Sequence, residues 1–258
     1  MNGFLSSLIE IFSFSAARYF VIAGIAFFTF YILLHKKLTR SKIQKRLAGR
    51  ADFIREILYS VQTTAVLAII AAIILQTSLI HYTRVYTHLS DYPVWYLPLS
   101  LLLCLIIHDT YFYWMHRLLH HKKLFHWTHL VHHRSVNPSP WTSYSFHFLE
   151  AWTEGGVLVA IVMVLPVHPL TILLFTVTSF IINVYGHLGF EIVPRRFRHS
   201  FFFEILNTSV HHNLHHSKFK GNYGLYFRIW DRVMGTEHPD YVREFDKLQE
   251  RRFGPASL

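Results

Sequence analysis

The stretch HRLLHHKKLFHWTHLVHH, residues 116–133, holds seven histidines in eighteen residues. Neutral imidazole is a common metal ligand, but His-rich tracts also occur as loose polar segments, so spacing is the test. His116 and His120 stand at i, i+4. His129, His132 and His133 stand at i, i+3, i+4, and His212, His215 and His216 repeat that pattern downstream. On a helix, residues three and four apart share a face, so each group is expected to offer its rings to a common point. Eight convergent imidazoles exceed the four ligands of one tetrahedral zinc, and the pattern points to two metal ions. Imidazole suits iron, zinc, copper and nickel alike, whereas all-nitrogen ligation excludes a magnesium or calcium site. Neutral ligands leave the metal charge to nearby carboxylates that hold each ring's second N–H, and Asp109, Glu150, Glu191 and Asp231 are candidates. His35, His81, His88, His168 and His238 read as interfacial or core residues. His126, His147 and His199 read as structural or substrate-lining. His121 and His211 duplicate neighbours, so one ring of each adjacent pair is expected to point away.

The elements that must position these rings are membrane-spanning. Hydrophobic residues make up 52% of the 258 and charged residues 16%. From Ala16 to Leu34 only Arg18 is charged, and Tyr59 to Ile80 carries no charge; each run is about the ~20 residues a bilayer core requires. Further apolar regions cover Val94–Ile107 and Gly155–Tyr185. The first run lacks the basic leader of a cleavable signal peptide and exceeds its usual length. Lys and Arg exceed Asp and Glu by 25 to 15, and residues 35–56 alone hold eight basic and two acidic side chains. A basic loop between two spans follows the positive-inside rule. No base-stacking or groove-reading motif accompanies it, so no nucleic-acid partner is expected. Cys104, the only cysteine, excludes an intramolecular disulfide and a CxxC pair.

If residues 35–56 are cytoplasmic, the third span ends on that side and can carry its histidines out through an interface belt of Tyr111, Phe112, Tyr113 and Trp114. LPVHPL (165–170) breaks the fourth apolar region, because proline cannot supply an interior helix hydrogen bond. A helical hairpin with short or tilted arms then returns the chain and puts both histidine-rich regions on one side. The expected fold is all-α: a polytopic membrane protein of about four transmembrane helices, the last pair a Pro-broken hairpin, with a cytosolic helical cap holding a di-metal site. The expected divisions are an N-terminal transmembrane pair with its basic loop (1–93), a catalytic domain (94–237) and a C-terminal surface tail (238–258).

The ordered set DTYFYWMHRLLHH, HLVHH, NVYGHLGFE, HHNLHH and NYGLYFRIWDRVMGT resembles the fatty acid hydroxylase/sterol desaturase superfamily of membrane di-iron proteins over about residues 94–237. The resemblance implies metal ligation by His116, His120, His129, His132, His133, His187, His212, His215 and His216, with His121 or His211 completing the set. Some members carry a further histidine where this chain has LGFE, which leaves Glu191 or a lower coordination number in its place. It further implies two iron ions (zinc as a substitute in a purified sample), O2 as co-substrate, and hydroxylation or desaturation of a C–H bond in a fatty acyl chain, sterol or alkylglycerol. Trp141, Phe146, Tyr223 and Trp230 are candidates to line a path for lipid entering from the bilayer. No dinucleotide fingerprint, cysteine cluster or haem motif is present, so the two electrons are expected from a separate electron-transfer protein or reductase, or from a reduced pterin. Two alternatives belong to other classes. A divalent-metal transporter would carry ionisable residues within its spans, and a zinc-dependent membrane hydrolase would need a base beside an open zinc position.

Overall fold

Within hydrocarbon, a backbone must satisfy its own N–H and C=O groups, and the apolar runs accordingly form long helices. The computed structural model describes residues 2–46 and 48–254; among these the chain is helical, with only isolated β-bridges. α1 (Asn2–Phe27) continues through a π-helical stretch at Phe28–Leu33, and α2 (Arg50–Gln76) and α3 (Tyr96–Leu119) follow. Two single turns come next, α4 (Phe125–Thr128) and α5 (Leu130–His133). α6 (Phe148–Val164) and α7 (Pro169–Gly186) form the expected hairpin. Pro169 opens α7, where no N–H is required, and the His168 ring accepts the Leu170 N–H at 3.1 Å. At the tip, Val167 bridges Val85, and the Tyr96 hydroxyl donates to the Pro166 carbonyl at 2.9 Å.

Four helical segments, Gly3–Leu33, α2, α3 and α7, are long and apolar enough to cross a bilayer; α6, at 17 residues, is the shorter arm. Ile25, Leu33 and Leu58 keep 64%, 64% and 65% of their surface exposed, a disposition that suits contact with lipid rather than water. α1 packs on α2, α2 on α6, α6 on α3, α3 on α7, and α7 back on α1. This closed ring buries Val66, Ile70, Ile161 and Phe175 at its α2–α6–α3–α7 seams.

The remaining helices cap one end of the ring: α8 (Phe201–Ile205), α9 (Ser209–Lys218), α10 (Ile229–Val233) and α11 (Tyr241–Phe253). The Thr208 hydroxyl caps α9 by accepting the His211 N–H. Residues 241–253 are not the surface tail expected of 238–258. Tyr241, Phe245 and Leu248 recur at helical spacing and pack against Phe203, Val210 and Leu214 beneath α9. The many charges of α11 occupy its other face.

Candidate metal centre

α3 delivers His116 in its last turn and His120 at its C-cap; α5 and its N-cap deliver His129, His132 and His133. His187 is the C-cap of α7, and α9 carries His212, His215 and His216. The nine rings form two groups: His116, His120, His129, His133 and His215, and separately His132, His187, His212 and His216. Within each group the ligand atoms all lie within 4.8 Å of one another. The i, i+4 pairs 116/120, 129/133 and 212/216 stay together, while the i+3 members His132 and His215 join the opposite group. A residue three positions on is rotated about 60° short of a full turn, enough at these crowded positions to aim it elsewhere. The expectation that each box converges on one point is therefore corrected: two of the boxes are each divided between the groups.

Main-chain carbonyls hold the outward-facing nitrogens of four of the nine rings. Nδ1–H donates to the carbonyl of Tyr223 from His116 (2.9 Å), of Asn183 from His187 (2.9 Å), of Gly221 from His215 (2.7 Å) and of Ser135 from His216 (3.0 Å). His129 differs, with its Nδ1 on the Glu150 carboxylate at 2.5 Å. A proton fixed on Nδ1 leaves Nε2 with its lone pair, and those atoms point inward. Nε2–Nε2 separations are 2.9 Å for His116–His129 and 3.0 Å for His133–His215. In the other group they are 3.0 Å for His187–His212 and 3.2 Å for His187–His216. His187 and His216 both have Nδ1 committed as donors, so two bare lone pairs face each other with no proton to share. Such a pair is repulsive unless a cation lies between, and metal–imidazole bonds of about 2.0–2.1 Å place neighbouring nitrogens roughly 3 Å apart. The residues fit a metal in each group.

Burial sets the protonation state. Desolvation lowers His187 and His215 to about 4, and holds His120, His129, His132, His133, His212 and His216 well below the ordinary histidine range. The rings are neutral at pH 7, the form a metal binds. Of the four candidate carboxylates, only Glu150 touches one of the nine rings. Asp109 accepts from the N–H groups of Leu225, Tyr226 and Phe227, and Asp231 from those of Tyr223 and Gly224 and from the Thr236 hydroxyl. Both therefore position the segment whose Tyr223 carbonyl holds His116. Glu191 takes no place among the ligand atoms; it accepts from the N–H groups of Ile192, Val193 and Val210 and from the Tyr185 hydroxyl, anchoring the start of α9.

His121 and His211 join neither group. The His121 ring accepts the Lys123 N–H, and His211 is buried edge-on against Tyr241 with centroids 4.9 Å apart. Gly221, which supplies the His215 anchor, has φ +75°, and a Cβ there would lie 2.6 Å from the Thr236 carbonyl oxygen.

A cavity of about 310 Å³ runs inside the helical ring. Its lining extends along α7 from Pro169 to Asn183, roughly 21 Å at 1.5 Å per residue. Phe112 and Phe146 line its inner end, and their rings lie 4.9 Å from His116 and 5.0 Å from His132. Of the four aromatic residues expected to line a lipid path, Phe146 does so. Tyr223 faces His116 and His120, Trp141 packs on Tyr19 and Phe27, and Trp230 stacks on Tyr113 and donates to the Thr110 hydroxyl. Reading the sequence for histidines and acids missed Phe112 and His108 in the lining, and the carbonyls of Asn183, Tyr223, Gly221 and Ser135. No side-chain signal marks a carbonyl. Glu154 carried a signal, a charge one residue before an apolar run, that the reading left unused.

The family model described as fatty acid hydroxylase matches residues 101–236. Lathosterol oxidase of Rattus norvegicus is 29% identical over 227 residues, covering 86% of this chain and 71% of that protein. Methylsterol monooxygenase 1 of Rattus norvegicus is 31% identical over 163 residues, covering 62% and 54%. Delta(7)-sterol 5(6)-desaturase ERG3B of Gibberella zeae is 28% identical over 169 residues, covering 66% and 50%. No solved structure matches.

Proposed function

The chain belongs to the fatty acid hydroxylase family, and from that premise we propose that it is an integral-membrane, O2-dependent lipid oxidoreductase. One observation carries the reading: two groups of inward-facing imidazoles meet the inner end of a long, largely apolar cavity. His116, His120, His129, His133 and His215 hold one iron, and His132, His187, His212 and His216 the other. The iron pair supplies the O2 chemistry that an unactivated C–H bond demands, since side-chain acids and bases cannot open such a bond. The chain's own residues prepare the site. Four carbonyls and Glu150 keep protons on Nδ1 of five of the nine rings, which leaves their Nε2 free and fixes their orientation. Phe112 and Phe146 form an apolar wall between rings and cavity, while the ring of five helices excludes water and admits lipid from the bilayer.

The basic loop lies at the histidine end: Lys42 bridges Phe190, and Gln44 donates to the Asn213 side-chain oxygen at 2.9 Å. By the positive-inside rule that end is cytoplasmic, within reach of a separate reductase or a reduced pterin. The matched relatives named above are, by their names, sterol enzymes, so a sterol is the first substrate to supply. The test is incubation of the metal-loaded protein in lipid nanodiscs with cellular lipids, a reductant and 18O2. Hydroxylation places 18O in a lipid; desaturation leaves a new double bond and releases labelled water. A preparation that carries about two metals per chain, as two separate ligand groups require, yet changes no lipid in an O2-dependent way overturns the reading.

A further inference from the structure

α10 presents apolar side chains where a helix facing water would present charges. Val233 keeps 70% of its surface exposed, and Ile229 and Met234 are exposed beside it. Ile229 and Val233 stand at i, i+4 and share a face. The one acid of this helix, Asp231, is buried on the N–H groups of Tyr223 and Gly224, and its exposed Arg232 is paired with Glu204 at 2.8 Å. α11, in the same cap, is built the other way. It buries Phe245 and Leu248 and turns Arg243 and Lys247 outward.

The level of α10 along the bundle gives this face a neighbour. Exposed apolar residues form one stripe along α3: Leu99, Leu102, Ile106, Trp114 and Leu118. Thr110 stands in the gap of that stripe, and Trp230 of α10 covers it. The Trp230 indole N–H donates to the Thr110 hydroxyl at 3.1 Å, and its ring meets Trp114 edge-on with centroids 5.6 Å apart. α10 therefore lies against the lipid-facing side of α3 rather than beyond its end. At about 1.5 Å per residue, a bilayer core of ~30 Å takes about 20 residues of helix. Counted from Tyr96, which stacks on Tyr92 at the far end of α3, the core reaches the level of Trp114. Thr110 then lies inside the core and Trp230 at its edge, the boundary where tryptophan is enriched. Three residues further out, the Arg117 guanidinium stands 5.9 Å from the Trp114 ring, at headgroup level.

We infer that α10 is an interfacial element: Ile229, Val233 and Met234 dip into the acyl–headgroup boundary of the leaflet at the histidine end, and Arg117 meets its phosphates. The exposed face of α10 is continuous with the stripe of α3, against which a bilayer already lies, so the occupant is that same bilayer. An arginine at the rim suits an anionic leaflet, and a short apolar face lying in the membrane plane suits its boundary. Lipid contact braces the segment between α9 and α10, whose Tyr223 carbonyl holds His116 and whose Leu225 lines the cavity. This placement goes beyond the oxidoreductase reading and requires only that the apolar helices cross the membrane.

The test reads depth, with no turnover required. Full-length protein with Val233→Cys is labelled with a nitroxide and reconstituted in nanodiscs of phosphatidylcholine and phosphatidylglycerol. Cys104 is buried and does not compete for label. Collisions with O2, which concentrates in lipid, are compared with collisions with a water-soluble nickel chelate. Leu102→Cys, on the α3 stripe, gives the lipid reference, and Lys247→Cys, on the charged face of α11, gives the water reference. The label at 233 should lose most of its nickel collisions and fall on the lipid side; Ile229→Cys, one turn earlier, supplies the same readout should the first label disturb the fold. A label at 233 as open to nickel as the one at 247 overturns the inference, because the face then meets water. A label closed to both reagents overturns it too, because protein then covers the face. Metal content of the same preparations reports on the oxidoreductase reading independently.

Discussion

The five-histidine and four-histidine groups share two boxes, since His132/His133 and His215/His216 are each split between them, yet they are held differently. The four-histidine group is wholly buried, and two of its Nδ1 atoms rest on carbonyls of Asn183 and Ser135. The five-histidine group has one more ring than a tetrahedral site uses. Its His120 is only part-buried, and it contains the one ring of the nine held by a carboxylate, His129 on Glu150. A carbonyl fixes a ring's orientation and tautomer; a carboxylate does both and adds negative charge, raising ligand basicity. The difference teaches that one group has ligand redundancy and a charged anchor while the other has neither.

Removing single rings breaks this comparison most sharply. His212→Ala leaves three imidazoles in the four-histidine group and should lower bound metal from about two ions to about one per chain, with loss of activity. His120→Ala leaves a complete set of four and should keep about two. Elemental analysis of the purified variants decides between them; equal losses would erase the distinction. Phe245→Ala removes a buried ring from under α9, which feeds both groups, and should destabilise the cap by about 3–5 kcal/mol. Both metals should then leave together on heating, followed by metal release during thermal unfolding.

A more selective change is Glu150→Gln, which keeps the shape and removes the charge. Affinity should fall about 10–100-fold at the five-histidine group alone, read by chelator competition with the four-histidine group as internal reference. The smallest effect concerns the flank of the four-histidine group. Lys42 lies 3.1 Å from the Tyr31 hydroxyl and over the Phe190 ring, and burial lowers it to about 8. Its unfolded value is about 10.4, so between these values the unfolded chain binds more protons. Stability should therefore rise from pH 8 to 10 by at most about 1.4 kcal/mol per pH unit. Lys42→Met should flatten that rise in thermal midpoints without altering metal content.

Much of the fold was legible because its signals are local. Uncharged runs specify spanning helices, and the prolines of LPVHPL specify a hairpin, since both follow from backbone hydrogen bonding in hydrocarbon. The membership of α11 in the cap was less visible. Its charges outnumber its apolar residues, and only the spacing of Tyr241, Phe245 and Leu248 betrays a buried face. Among the carboxylates, Glu150, Asp109, Asp231 and Glu191 look alike in sequence. Which of them meets a ring depends on where α6, α3, α10 and the segment after α7 come to lie.

By itself, then, the sequence determined which residues can ligate and which pairs must travel together, because i, i+4 geometry is a property of one helix. It also determined that the rings stand at the ends of membrane spans. The tertiary structure alone decided how the boxes divide into two groups, because that depends on the angles at which α3, α5, α7 and α9 meet. It alone placed carbonyls behind four of the rings. Contacts between segments so distant in the chain follow from packing, and no short-range pattern encodes them.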